Sequence, residues 1–250
     1  MTGFASEFLA GLLAPFVGAL MIANQRALFR LAIVPFVITV LILTVGLAYG
    51  LPFITGLVVP FTNSLLTFFG LKLNSGAGET LAKIFPFLIW PALALTLLFV
   101  LLSLTRLFAS PFYSLLAERV LRSAGVLTSE KPGLKSWVAA NVKQTRIALT
   151  KTPLFVVIGV VLGILSFIPG IGLFTSVAFV LLLAYDVTDY AFEALEWPLA
   201  RRFEFFRKHL GLFLGLGCTL GLVLLIPGLN FFLLPASVCG ASDAVRRMIR

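Results

Sequence analysis

The chain has 250 residues, of which 60% are hydrophobic and only 12% charged, and its net charge is +9. A surface this apolar has to face hydrocarbon rather than water, which excludes a soluble domain. In a membrane protein an excess of Lys and Arg is explained first by the orientation of the chain in the bilayer. We therefore predict that the partner of this chain is a lipid bilayer and not nucleic acid.

Charge-free stretches define the membrane part. Asp, Glu, Lys and Arg are absent from residues 31–71, 84–105, 152–185 and 210–242. Stretches of this length and composition are typical of membrane helices. They predict a single membrane domain with an all-α integral membrane fold.

The N-terminal third predicts one interfacial helix and two spanning helices. Segment 4–22 is apolar but short and rich in Gly, which favours an interfacial or partly inserted helix on the cytoplasmic surface. Segments 28–49 and 84–105 are each long enough to cross a bilayer. Between them, Pro and Gly residues in 51–71 argue against another straight helix facing lipid.

The segment from Arg106 to Lys151 sets the orientation. It contains eight basic residues against two acidic ones, which is typical of a cytoplasmic segment. We therefore predict cytoplasmic termini and amphipathic helices on the cytoplasmic face over 106–151 and 186–209.

The third and fourth charge-free stretches are copies of one pattern. A shift of 58 positions aligns Gly159 with Gly217 and the tripeptide IPG at 168–170 with the one at 226–228. The two stretches have 34 and 33 uncharged residues, whereas two upright crossings need about 40. Each copy is therefore predicted to be a half-inserted, re-entrant helical hairpin that turns inside the membrane.

The hairpin turns are candidates for a transport site. Irregular backbone at membrane depth has to be covered by protein or line a cavity, and paired interruptions of this kind point to a substrate route. The candidate turn residues are Pro169, Gly170, Pro227 and Gly228. The alternative is that the hairpins only complete the bundle, with the GxxxG pattern allowing close helix contact.

Two arginines near the first spanning helix are candidates for binding an anion. Arg26 and Arg30 are one helical turn apart, so both guanidinium groups can share a face at the membrane boundary. Their forked donors suit sulfate or phosphate. Alternatively, both side chains anchor the helix by extending to the interface.

Other charged residues have weaker functional interpretations. The run from Asp186 to Lys208 passes from acidic to basic and predicts a solvated helix pair at the inner face. Asp186 and Asp189 could instead pair with basic residues near a pore or relay protons, and Glu118 and Arg119 are further candidates for such a charge network.

No catalytic pattern is present in the sequence. His209 is the single histidine, and no zinc-protease, nucleophile-elbow, P-loop or metal-ligand spacing is found. Cys218 and Cys239 lie in apolar stretches, where a thiol behaves as a small hydrophobic group. We expect neither an enzyme nor a cofactor or metal.

Three stretches resemble a known family. PFYSLLAERV at 111–120, DYAFE at 189–193 and IPGLNFFLLPASVCGA at 226–241 are similar to the CysZ-type sulfate permeases, a family shared with the etoposide-induced membrane proteins. The resemblance extends over about residues 10–244. It implies a bacterial inner-membrane homo-oligomer that admits sulfate for assimilation into cysteine through two long spanning helices and two half-inserted hairpins.

The resemblance also implies a substrate site. The family's sulfate-binding stretch has Gly, an aliphatic residue and two basic residues, where this chain has Ala27, Leu28, Phe29 and Arg30. Only one basic position is kept, and Arg26 could supply the missing charge. The departure leaves open a non-transporting membrane scaffold as the alternative function.

Overall fold

The computed structural model describes residues 3–68, 76–127, 157–166, 168, 170–226 and 229–249. These ranges contain helices and short connections and no strand. The helices are α1 (Phe4–Asn24), α2 (Arg26–Phe68), α3 (Gly76–Ser123), α4 (Val157–Ser166), α5 (Gly172–Ala194), α6 (Leu199–Lys208), α7 (Leu210–Leu224) and α8 (Leu229–Met248).

Helices α1, α2, α3 and α5 are each long and apolar enough to cross a membrane. Large hydrophobic side chains such as Tyr49, Phe53 and Phe87 project outward from them. So much exposed apolar surface is unfavourable in water and suits lipid. The fold is therefore that of an all-helical, multi-pass membrane protein, as the composition predicts.

The chain divides into two compact units, of which one comprises Pro35–Ser110. Its two arms belong to α2 and α3 and are antiparallel. Gly46 faces the side chain of Leu101, Gly50 faces Leu97, and the indole N–H of Trp90 donates to Thr55 Oγ1 over 3.3 Å. The glycines allow the two helices to approach closely, as small residues do in membrane helix pairs.

The expected interruption after residue 50 is wrong. Helix α2 continues through Pro52 and Pro60 to Phe68, and predicted span 28–49 is only part of it. Membrane helices tolerate internal proline because neighbouring groups satisfy the freed backbone. The hydroxyls of Thr55 and Ser64, which donate to carbonyls one turn earlier, show that polar residues here are also accommodated within the helix.

The other unit comprises Met1–Val34 and Pro111–Arg250, and α1 is central to it. A Cβ added to Gly11 would overlap the carbonyl oxygen of Leu212, and one added to Gly18 would overlap that of Ala236. The contact is reciprocal, because Gly240 is equally close to the carbonyl of Ala14. Helix α1 therefore packs backbone to backbone against both α7 and α8.

This packing changes the interpretation of the N-terminal segment. The sequence predicts a short interfacial or partly inserted helix over 4–22, whereas α1 has 21 residues and is long enough to cross a membrane. Its opposite face presents Leu9, Leu13 and Phe16, which are exposed. One face of α1 is therefore buried in protein while the other is apolar and open.

The last turns of α3 also belong to this unit. A mixed surface helix is predicted here, but Leu116, Val120 and Leu121 are fully buried. The remainder of the predicted cytoplasmic segment, 128–151, lies outside the described residues. The core is completed by Phe192 from α5 and Phe213 from α7.

The two repeat copies differ in their surroundings. Gly217 in α7 lies against the carbonyl of Val180, so the second GxxxG pattern is a packing motif, as one of the two interpretations requires. Among the described residues, nothing lies within 4 Å of a Cβ added to Gly159 or Gly163 in α4. Similar sequence patterns are therefore closely packed in one copy and open in the other.

Candidate functional site

The connection between α1 and α2 is a single residue, Gln25, and it places Arg26 at the start of a helix. The amide of Gln25 donates to Met21 O over 3.1 Å, and the amide of Phe29 donates to Gln25 O over 3.0 Å. The backbone N–H groups before Phe29 therefore begin α2 without an acceptor in the preceding turn. A helix start with free amides attracts anions.

Arg26 and Arg30 add two cationic side chains at this helix start. Both are exposed, and in the described part of the chain neither guanidinium forms a hydrogen bond or an ion pair. They are one turn apart and therefore lie on the same helix face. Two unoccupied forked donors on one face are suited to the oxygens of a tetrahedral anion.

Leu28 and Phe29 have different roles at this site. The side chain of Leu28 is 1% exposed and points away from the face of the arginines, so it anchors this turn of α2 in the protein. Phe29 is 52% exposed and has no polar group. It therefore cannot donate to an anion at a position where the resembling family has a basic residue.

A buried ion pair joins α5 to α6. Arg202 Nη1 lies 2.6 Å from Asp189 Oδ1, and Arg202 Nε donates to the carbonyl of Trp197 over 2.8 Å. The rings of Phe192 and Trp197 stack with centroids 5.4 Å apart, and Phe205 packs edge-on against Phe192. Aromatic side chains thus exclude water from the pair, which strengthens its attraction.

The expectation of a solvated helix pair is wrong for Asp189 and Arg202, because both are buried. The segment between them turns at Glu196, whose φ of 54° lies in the left-handed region. This turn brings α6 back onto α5, so one acidic and one basic side chain of the run meet inside the unit.

The remaining charge-network candidates lie apart from this pair. Glu118 is paired with Arg122 one turn along α3, and Arg119 is exposed with no ion pair in the described residues. Asp186 is half-buried on α5. The structure therefore provides a partner for Asp189 on another helix, while Glu118 pairs within its own helix.

A second buried pair was not predicted from the sequence. Glu7 Oε1 of α1 lies 2.7 Å from His209 Nδ1, at the boundary between α6 and α7. Both side chains are buried, and the imidazole also packs against Phe205 with ring centroids 4.5 Å apart. Both residues stand at the edge of an apolar run in the sequence, but nothing in their spacing connects them.

The hairpin turns are described only in part. Pro169, Pro227 and Gly228 lie outside the described residues. Gly170 has a φ of 88°, which glycine adopts without strain, and α5 begins two residues later. Each IPG sequence stands between the end of one helix and the start of the next, so the helix breaks lie where the sequence predicts turns.

The described residues contain no group of three or more His, Cys, Asp or Glu side chains that could hold a metal ion.

Comparison with known families gives an extensive match. Residues 14–235 match the family described as sulfate transporter CysZ/etoposide-induced protein 2.4. The chain belongs to this family. The match covers the starts of both α2 and α3, both IPG sequences and the buried Asp189–Arg202 pair, and it confirms the resemblance noted from the sequence.

Individual members of the CysZ family align over a smaller part. The sulfate transporter CysZ of Pectobacterium atrosepticum is 29% identical over an alignment 168 residues long, which covers 63% of this chain and 60% of that protein. The sulfate transporter CysZ of Salmonella typhimurium is 29% identical over an alignment 167 residues long, which covers 62% of this chain and 65% of that protein. The chain thus spans less than two thirds of either relative. Both relatives are named as transporters rather than enzymes.

Proposed function

We propose that this CysZ-family protein carries sulfate or a related oxyanion across the bacterial inner membrane, and that Arg30 and Arg26 capture the anion at the start of α2. The observation that carries the proposal is the pair of exposed guanidinium groups that have no protein partner in the described residues. Other arginines, including Arg122, Arg202 and Arg247, are already paired with carboxylates.

The local geometry supports an oxyanion as the ligand. Arg26 and Arg30 share one face, and the amides of the first turn add donors of fixed direction. Leu28 is buried on the opposite side and holds this turn in place. A sulfate between the two side chains would receive charge-assisted hydrogen bonds from two directions, which compensates for its lost hydration.

The hairpins supply the proposed route through the membrane. Helix α7 has 15 residues, and the charge-free part of α5 is residues 172–185, whereas a crossing needs about 20. We therefore keep the half-inserted arrangement, with each IPG turn lying inside the membrane. The turns would line or support the passage of the anion, as broken helices do in other transporters.

The cellular setting follows from charge and from the relatives. The excess of Lys and Arg in 106–151 favours a cytoplasmic position for that segment, and we propose the cytoplasm for both termini as well. The named relatives are bacterial sulfate transporters. Imported sulfate would feed sulfate assimilation and cysteine biosynthesis, and the assembly is proposed to be a homo-oligomer.

The test is uptake of radiolabelled sulfate by proteoliposomes containing the full chain. Loss of one charge-assisted contact costs about 1.5–3 kcal/mol, so Arg30→Ala and Arg26→Ala should each weaken apparent sulfate affinity about tenfold or more. Arg247→Ala serves as the control, because its side chain is 67% exposed and belongs to α8. Unchanged affinity in both test variants removes the arginines from the mechanism, and absence of uptake by the unmodified protein contradicts transport.

A non-transporting scaffold is the second candidate. The observation that favours it is Phe29, which replaces a basic residue of the family's stretch and is exposed at the site. Equilibrium binding of labelled sulfate to the purified protein separates the two functions. If the protein is a scaffold, neither sulfate binding nor sulfate flux is expected. If it is a transporter, both are expected.

A further inference from the structure

Helix α6 has one face in the protein and another that is open. Arg202 and Phe205 point inward and are buried. Leu199 and Phe203, one turn apart, are 64% and 56% exposed. An aromatic and an aliphatic side chain on the open face of a short, charged helix are typical of a helix at a membrane surface.

The direction of α6 agrees with a position along the membrane surface. Helices α6 and α7 meet at His209 with an angle of 86° between them. Helix α7 is uncharged and, in the half-inserted arrangement proposed above, enters the membrane. A helix nearly perpendicular to it then lies in the plane of the interface. This step depends on the proposed hairpin and not on the identity of the transported anion.

Of the three exposed cations of α6, Arg207 lies beside Phe203, whereas Arg201 and Lys208 lie about half a turn round the helix from the apolar pair. Arg201, Arg207 and Lys208 are exposed, and in the described part of the chain none of them forms an ion pair. Arg207 lies over the ring of Phe203 at 6.0 Å, and Arg201 lies over Trp197 at 4.3 Å. These contacts hold the guanidinium groups beside aromatic rings, as is favourable where hydrocarbon meets phosphate.

We propose that α6 binds the headgroups of anionic phospholipids, with Arg207 contacting phosphate next to Leu199 and Phe203, which enter the acyl boundary, and with Arg201 and Lys208 adding positive charge on the side of α6 that faces away from the acyl chains. Each cation near an anionic lipid surface is attracted to it, and the exposed apolar side chains gain from leaving water. Glu204 is the single acidic residue of α6, so the open face has a net positive charge. Leu199 and Phe203 favour a lipid surface over an acidic protein as the partner, because binding to an acidic protein would not require exposed apolar side chains beside the cations.

The first test is lipid binding to the purified full chain by native mass spectrometry. Phosphatidylglycerol and phosphatidylcholine with identical acyl chains are compared. Removing one cation should weaken phosphatidylglycerol binding about fivefold in Arg207→Gln. The control is Arg247→Gln, which removes an exposed arginine from α8. Equal binding of the two lipids, or equal losses in the two variants, overturns the proposal.

The second test measures the depth of α6 in liposomes without removing any of its cations. In a background in which Cys218 and Cys239 are replaced by Ala, an environment-sensitive fluorophore is attached through Phe203→Cys or through Glu204→Cys. The label at position 203 should show blue-shifted emission and quenching by lipid-borne quenchers, and the label at 204 should not. Equal, water-like emission at both positions refutes a surface helix. Sulfate uptake by the same proteoliposomes reports separately on the transport proposal.

Discussion

Glu7 and His209 are separated by 202 positions in the sequence, yet the carboxylate oxygen Oε1 and the imidazole nitrogen Nδ1 lie 2.7 Å apart. Glu7 belongs to the first turn of α1, and His209 is the residue at which α6 changes into α7. The pair therefore holds the N-terminal end of α1 against the bend between α6 and α7, where the two helices meet at 86°. Close glycine contacts hold the rest of α1 against α7 and α8. The polar pair and the glycine contacts therefore favour the same position of α1.

We expect Glu7→Ala and His209→Ala to destabilise the protein. Each leaves a buried polar partner without its hydrogen bond, which costs about 1–3 kcal/mol of unfolding free energy. Thermal unfolding in detergent measures the loss. Ser6→Ala is the control, because Ser6 is exposed and its hydroxyl donates only to Gly3 O. The double variant should lose less than the sum of the single losses, and strict additivity would show that the two residues do not interact.

Close packing of α1 makes a second prediction. Gly18→Ala and Gly240→Ala should each lower the thermal stability, since the added methyl group would overlap the backbone of a neighbouring helix. Overpacking of this kind costs about 1–3 kcal/mol or more. Gly163→Ala is the matched control on α4, where the described residues leave open space. There the change should be neutral or slightly stabilising, because Ala has the higher helix propensity. A similar loss in all three variants contradicts the packing argument.

The Asp189–Arg202 pair predicts a large effect from a single substitution. Arg202→Met should cost about 3–5 kcal/mol of unfolding free energy, because Asp189 would remain buried without its partner. Replacing both residues, as Asp189→Leu with Arg202→Met, should recover most of that loss. Arg247→Met removes an exposed guanidinium from Asp243, which keeps Arg246 as a partner, and should cost less than about 1 kcal/mol. Chemical unfolding in detergent compares the three proteins, and equal costs for Arg202→Met and Arg247→Met are the result that refutes a buried pair.

Phe29 offers a test in which the substitution is expected to tighten sulfate binding. Phe29→Arg restores a basic residue at the position where the family has one, on the exposed surface of the first turn of α2. An added charge-assisted contact should tighten sulfate binding about tenfold, measured by equilibrium binding or by the concentration dependence of uptake. Phe29→Leu is the uncharged control. Weaker binding in Phe29→Arg would indicate that Phe29 itself shapes the site.

Several elements could be predicted from the sequence because they depend on local composition. Long charge-free segments correctly predicted a helical membrane protein, and the described helix ends lie on either side of each IPG sequence. The continuity of α2 through Pro52 was not predicted, because proline disfavours helices in water but is tolerated when surrounding groups satisfy the backbone. The half-inserted depth of the hairpins stays a prediction.

The charged residues also differ in whether they could be identified from the sequence. Arg26 and Arg30 were identified from spacing alone, since one helical turn places them on one face whatever the rest of the chain does. The buried ion pair of Asp189 and Arg202 was not identified from the sequence, because it depends on a turn at Glu196 that returns α6 to α5. Whether a charged residue is solvated is decided by its neighbours in space.

Hydrophobic content and the positions of charges by themselves determined that this is a helical membrane protein and which arginines are candidates for an anion. These properties follow from the preference of each segment for lipid or water, which sums over nearby residues. Only the tertiary structure decided that α1 packs on α7 and α8, that Glu7 meets His209 and that Arg26 and Arg30 have no protein partner in the described residues. Such contacts join residues far apart in the chain, and their energies depend on geometry that composition does not encode.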